Sequence, residues 1–121
     1  MKRILIIEDE KPLAKVLGLK LIRNGYHVTT VENGEQGIYE LNFHKYDLLI
    51  LDIMTPKVGG FAVLEEMSAK NINVPVIVVS NLSQHEDIKK AKSLGVKDYY
   101  VKADISLESL VKNINKLFSL P

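Results

Sequence analysis

The sequence contains no cysteine among its 121 residues, and its 16 basic residues nearly balance its 15 acidic ones. The lack of cysteine excludes disulfide bonds and thiolate metal sites, which fits a cytoplasmic protein. A formal net charge of +1, with both signs mixed along the chain, argues against a dedicated nucleic-acid surface. No apolar run approaches the roughly 20 residues that cross a bilayer, so we expect no membrane partner. Residues 1–3 lead directly into an apolar run without a cleavage-site pattern, so we expect no signal peptide.

Linkers, repeats and low-complexity tracts are also lacking, so we expect one domain over residues 1–121. The composition, 46% hydrophobic and 26% charged, is ordinary for a soluble globular protein. A chain of this length buries about two-thirds of the surface that its unfolded form exposes.

Three continuous runs are rich in Ile, Leu and Val: Ile4–Ile7, Leu48–Leu51 and Val76–Val79. Their lack of polar alternation is typical of parallel strands that are buried on both faces. The alternating segment His27–Val31 and the short aromatic segment Tyr99–Val101 are predicted as the two edge strands.

Five segments between and after these strands carry helical spacing or capping signals. Five strands that alternate with five helices predict an α/β fold, a doubly wound parallel sheet with right-handed crossovers. The helix signals are Pro12 and Gly25, an Asn33 cap with a helix to about Phe43, Gly60 onward, a Ser83–Glu86 capping box closed by Gly95, and an apolar stripe from Leu107 to Phe118.

Reactive polar residues follow four of the predicted strands. The carboxyl ends of parallel strands meet at one edge of the sheet, which is where open α/β sheets bind ligands. The residues are Glu8, Asp9 and Glu10 after the first strand, Asp52 after the third, Ser80 after the fourth and Lys102 after the fifth.

Carboxylates that meet at this edge repel one another unless they share a cation. Oxygen ligands from one or two carboxylates suit Mg²⁺, which commonly keeps positions for phosphate oxygens. Any one acidic residue could instead complement a helix N-terminus, and only the joint placement of Glu8, Asp9 and Asp52 favours a metal site.

Asp52 is the best candidate nucleophile, because an aspartate can attack a phosphoryl group and hold it as an acyl phosphate. Mg²⁺ and the Lys102 ammonium would neutralise the charge of the transferring group. The Ser80 hydroxyl would donate to the phosphoryl oxygens, although a turn hydroxyl is the alternative reading for this residue.

These residues give the chain a resemblance to the receiver domains of two-component response regulators, stand-alone chemotaxis regulators included. The resemblance covers essentially all 121 residues and implies a flavodoxin-like sheet of strand order 2-1-3-4-5. It rests on Glu8-Asp9, on Asp52-Ile53-Met54-Thr55-Pro56 followed by Gly60, on Ser80, and on Asp98-Tyr99-Tyr100-Val101-Lys102.

The resemblance assigns the phospho-acceptor role to Asp52 and pairs Lys102 with the phosphoryl group. It implies that Asp9, Asp52 and the backbone carbonyl of Met54 bind Mg²⁺, and that Glu8 holds a metal-bound water.

The resemblance also implies a switch, in which Ser80 is the switch hydroxyl and Tyr99 is the aromatic residue that changes rotamer with it. The phosphoryl donor would be a histidine kinase or a phosphotransfer protein. A downstream effector would bind the face made by the fourth helix, the fifth strand and the fifth helix. Such a protein catalyses only its own phosphorylation and dephosphorylation, as a monomer or as a phosphorylation-dependent dimer.

Two alternatives remain open. A degenerate receiver that acts as an unphosphorylated interaction module is suggested by Ala103 and Asn81, which depart from the family pattern. An aspartate-nucleophile phosphatase would use the same residue types, but such enzymes typically place a second aspartate two residues after the first. This chain has Met54 there.

Ala103 follows Lys102, at a position where the family usually has a proline, often after a cis bond. A cis bond costs about 2.5–4 kcal/mol before a non-proline residue and only about 0.5–1 kcal/mol before proline. We therefore predict a trans bond between Lys102 and Ala103.

Asn81 is bulkier than the small residue that usually follows the switch hydroxyl. We expect it to narrow the access to Asp52 and to slow phosphoryl gain or loss. The Asn81→Ala variant should then differ from the wild type in its rate of autophosphorylation with a small phosphodonor, and equal rates would rule this effect out.

Overall fold

Alternating strands and helices make up the fold, and the computed structural model describes residues 1–119. The predicted domain also includes Leu120 and Pro121, which lie outside the described residues. The strands are β1 (Arg3–Ile7), β2 (His27–Val31), β3 (Leu48–Leu51), β4 (Val76–Ser80) and β5 (Asp98–Val101). The helices are α1 (Lys11–Arg23), α2 (Gly34–Phe43), α3 (Gly60–Ala69), α4 (His85–Ser93) and α5 (Leu107–Ser119), with a 3₁₀ turn at Lys102–Asp104 before α5.

The five strands form one parallel sheet in the order β2-β1-β3-β4-β5, which confirms the predicted topology. Successive side chains of a strand point to opposite faces, so each inner strand contributes to two cores. Ile4 and Ile6 of β1 pack with residues of α1 and α5. Leu5 and Ile7 pack on the other face with residues of α2, α3 and α4.

Most of the predicted helix boundaries are confirmed. Pro12 lies in the first turn of α1, and Gly25 and Gly95 follow α1 and α4 with φ angles of 92° and 95°. Asn33 caps α2, because its side-chain oxygen accepts a hydrogen bond from the backbone N–H of Gln36 at 2.9 Å.

The predicted Ser83–Glu86 capping box is wrong, because α4 begins one residue later than the pattern indicates. Its N-cap is Gln84, whose backbone carbonyl accepts from the Ile88 N–H at 3.1 Å, and no side chain caps the helix. The backbone N–H of Leu82 is already bonded to Ser80, which ties the preceding segment to the sheet. Glu86 instead lies in the first turn, where its charge complements the helix dipole.

Two glycines let α2 and α3 approach the loop that follows β3. A Cβ atom at Gly60 would lie 2.6 Å from the Ile53 Cα, and one at Gly34 would lie 1.9 Å from the Val58 carbonyl oxygen. Both distances are far inside van der Waals contact, so larger residues would displace the backbone of the loop.

The Gly34→Ala variant should lower the free energy of unfolding by about 1–3 kcal/mol, because its methyl group meets backbone atoms that cannot rotate away. The matched control is Gly18→Ala within α1, where the nearest side-chain atoms lie 3.8 Å from the added Cβ. This control should be neutral or stabilising by about 0.5–1 kcal/mol, because alanine has a higher helix propensity than glycine. Chemical denaturation of both variants provides the measurement, and equal effects would contradict the predicted clash.

Candidate functional site

Backbone hydrogen bonds extend the sheet by one residue at its carboxyl edge. The Asp52 N–H donates to the Ile7 carbonyl at 3.0 Å, and the Glu8 N–H donates to the Val31 carbonyl at 3.0 Å. Ile7 and Leu51 lie in register, so the residues that follow them, Glu8 and Asp52, leave the sheet side by side.

Three carboxylates converge at this edge, as the sequence predicts. Glu8, Asp9 and Asp52 each offer a carboxylate oxygen, and these oxygens lie within 4.8 Å of one another. Glu8 and Asp52 are only 5% and 4% exposed, whereas Asp9 faces the solvent. A donor set made only of oxygen atoms, open to solvent on one side, is what Mg²⁺ accepts.

The Lys102 ammonium lies inside this acidic cluster. Its Nζ atom is 2.8 Å from Asp52 Oδ2, 2.9 Å from Glu8 Oε1 and 3.0 Å from Glu10 Oε2. Burial by itself lowers the pKa of Lys102, but the hydrogen bonds to Asp52, Glu8 and Glu10 outweigh it and raise that pKa above its usual value. The Lys102–Ala103 bond is trans, as predicted, and Lys102 begins the 3₁₀ turn that carries its side chain over the sheet edge.

Glu10 is the one contact of Lys102 to which sequence reasoning gave no role. Its position three residues after β1 placed it near the edge, but the reach of its side chain to Lys102 depends on a rotamer that the sequence does not specify. Glu10 occupies the N-cap position of α1 without making a side-chain cap hydrogen bond, so its carboxylate is directed to Lys102 instead.

Burial raises the pKa of Glu8 to about 7 because it disfavours the charged carboxylate. The hydrogen bonds from Lys102 and from the Glu10 N–H oppose this shift, and the negative charge of Asp52 adds to it. A divalent cation would favour the charged form of Glu8, so such an ion fits the cluster.

Both carboxylate oxygens of Asp52 accept hydrogen bonds. The Met54 N–H donates to Asp52 Oδ1 at 3.0 Å, which leaves Oδ2 to Lys102. Met54 is 57% exposed, and its contact with the site is the backbone hydrogen bond to Asp52. The predicted metal contact of the Met54 carbonyl stays a prediction.

Ser80 and Tyr99 both form hydrogen bonds with the backbone of Leu82, beside the site. Ser80 is fully buried, and its hydroxyl oxygen accepts from the Leu82 N–H at 3.2 Å. The Tyr99 hydroxyl donates to the Leu82 carbonyl. Burial raises the pKa of Tyr99. The two predicted switch residues thus both bond to the backbone of Leu82 just after β4, whereas Asn81 is exposed.

Comparison with known proteins identifies the fold and the family. The family model described as "Response regulator receiver domain" matches residues 4–115. The chain belongs to this family. The receiver domain of the Francisella response regulator 1452 is 29% identical with a TM-score of 0.90, and the alignment covers 98% of this chain and 97% of that one. This likeness confirms the flavodoxin-like fold of the receiver domain.

Two further similar proteins are named response regulators with more than 30% identity to this chain. Response regulator SaeR of Staphylococcus aureus is 34% identical over 119 residues, which are 98% of this chain and 51% of SaeR. The receiver domain described here therefore spans about half the length of the curated relatives that it matches. Response regulator TrrA of Thermotoga maritima, solved in complex with Mg²⁺ and BeF, is 31% identical with a TM-score of 0.83, and the match covers 97% and 99% of the two chains. No helix within residues 1–119 has the length and apolar character needed to cross a bilayer.

The Glu8→Gln variant should be more stable than the wild-type receiver domain in metal-free buffer, and the difference should grow as pH rises from 4.5 to 7. Because the native pKa of Glu8 is about 7, the native state holds more of this proton than the unfolded state does over this range, so the wild type loses stability as pH rises. The expected growth is roughly 2–3 kcal/mol. Unfolding by denaturant in a chelating buffer at several pH values measures it.

Groups that do not contact Glu8 are common to the two proteins, so the difference reports Glu8 together with its partners Asp52 and Lys102. A difference in stability that stays constant over this pH range would contradict a raised pKa at Glu8.

Proposed function

We propose that this receiver domain is a phosphorylation-controlled signalling switch that accepts a phosphoryl group on Asp52. The observation that carries the proposal is the position of the Lys102 ammonium, 2.8 Å from Asp52 Oδ2, within a cluster of buried carboxylates. That arrangement places a nucleophilic oxygen and a fixed positive charge where the negative charge of a phosphoryl group must be neutralised.

In the proposed reaction, a carboxylate oxygen of Asp52 attacks the phosphorus atom and forms an acyl phosphate. The bond between phosphorus and the donor breaks, and its electron pair leaves with the donor group. The Met54 N–H orients the carboxylate, and Lys102 stabilises the charge on the phosphoryl oxygens. The Ser80 hydroxyl turns from Leu82 to donate to a phosphoryl oxygen.

The all-oxygen donor set fits Mg²⁺ as the cofactor. Asp9, Asp52 and the Met54 carbonyl would bind the ion directly, and Glu8 would hold it through a water molecule. When bound, Mg²⁺ supplies positive charge that neutralises the phosphoryl oxygens and relieves the repulsion among the carboxylates.

The switch in this proposal is the pair of Ser80 and Tyr99. When Ser80 moves toward the phosphoryl group, it vacates space that the Tyr99 ring can fill, which gives two discrete packings. The change reaches the face made by α4, β5 and α5, where an effector protein would bind.

The proposed donor is a histidine kinase or a phosphotransfer protein in the cytoplasm, and the receiver is a monomer or a phosphorylation-dependent dimer. Its chemistry is limited to its own phosphorylation and dephosphorylation. The intact contact between Asp52 and Lys102 supports phosphorylation over an unphosphorylated interaction module. Met54, in place of a second acid, supports a switch over a phosphatase.

Treatment with acetyl phosphate and Mg²⁺ should add one phosphoryl group, detected by mass spectrometry of the intact protein. The Asp52→Asn variant should show no adduct, because its amide is a poor nucleophile, and a chelator should suppress the wild-type adduct. The matched control is Asp98→Asn, which removes an exposed carboxylate from the opposite end of the sheet and should leave the adduct intact.

An adduct that persists in Asp52→Asn would refute Asp52 as the acceptor. Sustained hydrolysis of a generic phosphate ester by the wild type would instead support the phosphatase alternative.

A further inference from the structure

Exposed apolar side chains are concentrated on the two helices that border the β2 edge of the sheet. Along the chain α1 precedes β2 and α2 follows it, and the two helices pack on opposite faces of the sheet. Within residues 1–119, seven large hydrophobic residues are strongly exposed, and five of them lie on these two helices. Such a concentration marks an interaction surface. The five are Val16, Leu19 and Ile22 on α1, and Tyr39 and Phe43 on α2.

The side of α1 toward β2 combines basic and apolar residues. Gly18 faces β2, since a Cβ atom there would lie 3.8 Å from side-chain atoms of that strand, and Ile22 lies one turn further along the same side. Lys15 lines a cavity together with Thr30 of β2, and Leu19 follows Lys15 by one turn. The charge of α1 is entirely positive, because the helix contains four basic residues and no acidic one.

The side of α2 toward β2 combines acidic and aromatic residues. Glu35 and Tyr39 line a cavity together with Val31, the last residue of β2. Phe43 lies one turn beyond Tyr39, and the centroids of the two rings are 4.8 Å apart. The charge of α2 is opposite to that of α1, because this helix contains two acidic residues and no basic one.

The two surfaces also match along their length. Both helices connect parallel strands, so both begin at the carboxyl edge of the sheet and run back along it. Lys15 and Glu35 therefore lie nearer to that edge, and Ile22 and Phe43 lie nearer to the opposite one. Within the described residues neither Lys15 nor Glu35 forms an ion pair, and both are exposed. One chain thus carries both halves of a complementary pair of surfaces, which favours a second copy of the chain as the partner.

We propose that a second copy of this chain binds the β2 edge, so that α1 of each copy lies against α2 of the other. A two-fold axis parallel to β2 produces this arrangement, because the rotation exchanges the two faces of the sheet and keeps the strand direction. Lys15 of one copy then faces Glu35 of the other, and Ile22 faces Phe43. Each contact occurs twice. The inference does not rest on the proposed function, since no residue of the phosphoryl site takes part.

Sedimentation equilibrium of the unphosphorylated full chain measures this association. The contact is small, so we expect a dissociation constant between about 10 µM and about 1 mM and a monomer at lower concentration. Lys15→Glu and Glu35→Lys should each weaken the association about tenfold, since each brings like charges together at both contacts. The matched controls are Lys89→Glu and Glu86→Lys on α4, at the opposite edge of the sheet, which should leave the association unchanged.

An equimolar mixture of Lys15→Glu and Glu35→Lys tests which helices meet. In a mixed dimer the reversed charge on α1 of one copy faces the reversed charge on α2 of the other, and the second contact keeps its native pair. The mixture should therefore associate about as tightly as the wild type, although neither variant does so alone. Recovery in the mixture would also show that both variants are folded.

The lack of cysteine in the chain permits a second measurement of the same arrangement. Under mild oxidation, a mixture of Ile22→Cys and Phe43→Cys should form disulfide-linked heterodimers faster than either variant links to itself. The reason is that α1 meets α2 of the other copy and does not meet its own counterpart. Both positions are exposed, so the substitutions leave the core intact.

Three outcomes would overturn this proposal. They are a wild-type chain that stays monomeric up to about 1 mM, a mixture of the two charge-reversal variants that does not regain association, and faster linking of Ile22→Cys to itself than to Phe43→Cys. Each of these outcomes would leave the phosphorylation of Asp52 to be decided by its own experiment.

Discussion

The close packing of carboxylates at the carboxyl edge of the sheet is the constraint on which the rest of the site depends. Glu8 and Asp52 are almost fully buried, Asp9 lies beside them, and the Lys102 ammonium contacts Glu8 and Asp52. Buried carboxylates are stable as charges only when they are paired, and Glu8, Asp9 and Asp52 outnumber the one ammonium beside them. The unbalanced charge favours a second cation, and it makes the site responsive to any group that alters the local charge.

The fold supplies this constraint through backbone contacts. The register of Ile7 with Leu51 sets Glu8 beside Asp52, and the close approach permitted by Gly34 and Gly60 fixes the loop that follows Asp52. Each of these contacts joins backbone to backbone or helix to loop, so close packing holds the carboxylate side of the site. The residues of the proposed switch, Ser80 and Tyr99, lie on the other side, on β4 and β5.

The sequence predicted the sheet and the convergence of Glu8, Asp52 and Lys102 because both follow from continuous apolar strands and from the residue that ends each one. The Asn33 cap was also predictable, since a local hydrogen bond decides it. The start of α4 could not be predicted in this way, because the hydrogen bond from the Leu82 N–H to Ser80 fixes the backbone before the helix. The contact of Glu10 with Lys102 depends on a long-range meeting of two side chains, which no local pattern encodes.

Leu82 provides the physical link between the site and the proposed output face. Its N–H donates to Ser80 and its carbonyl accepts from Tyr99, so both switch residues hold the same peptide segment, two residues before the N-cap of α4. If Ser80 turns toward a phosphoryl group, the Leu82 N–H loses its partner and the segment is free to find another. Because α4 is mostly exposed and buries Ala91, it has little apolar packing to resist that shift. The proposed signal therefore needs only one hydrogen bond to be exchanged at Leu82 in order to reach α4.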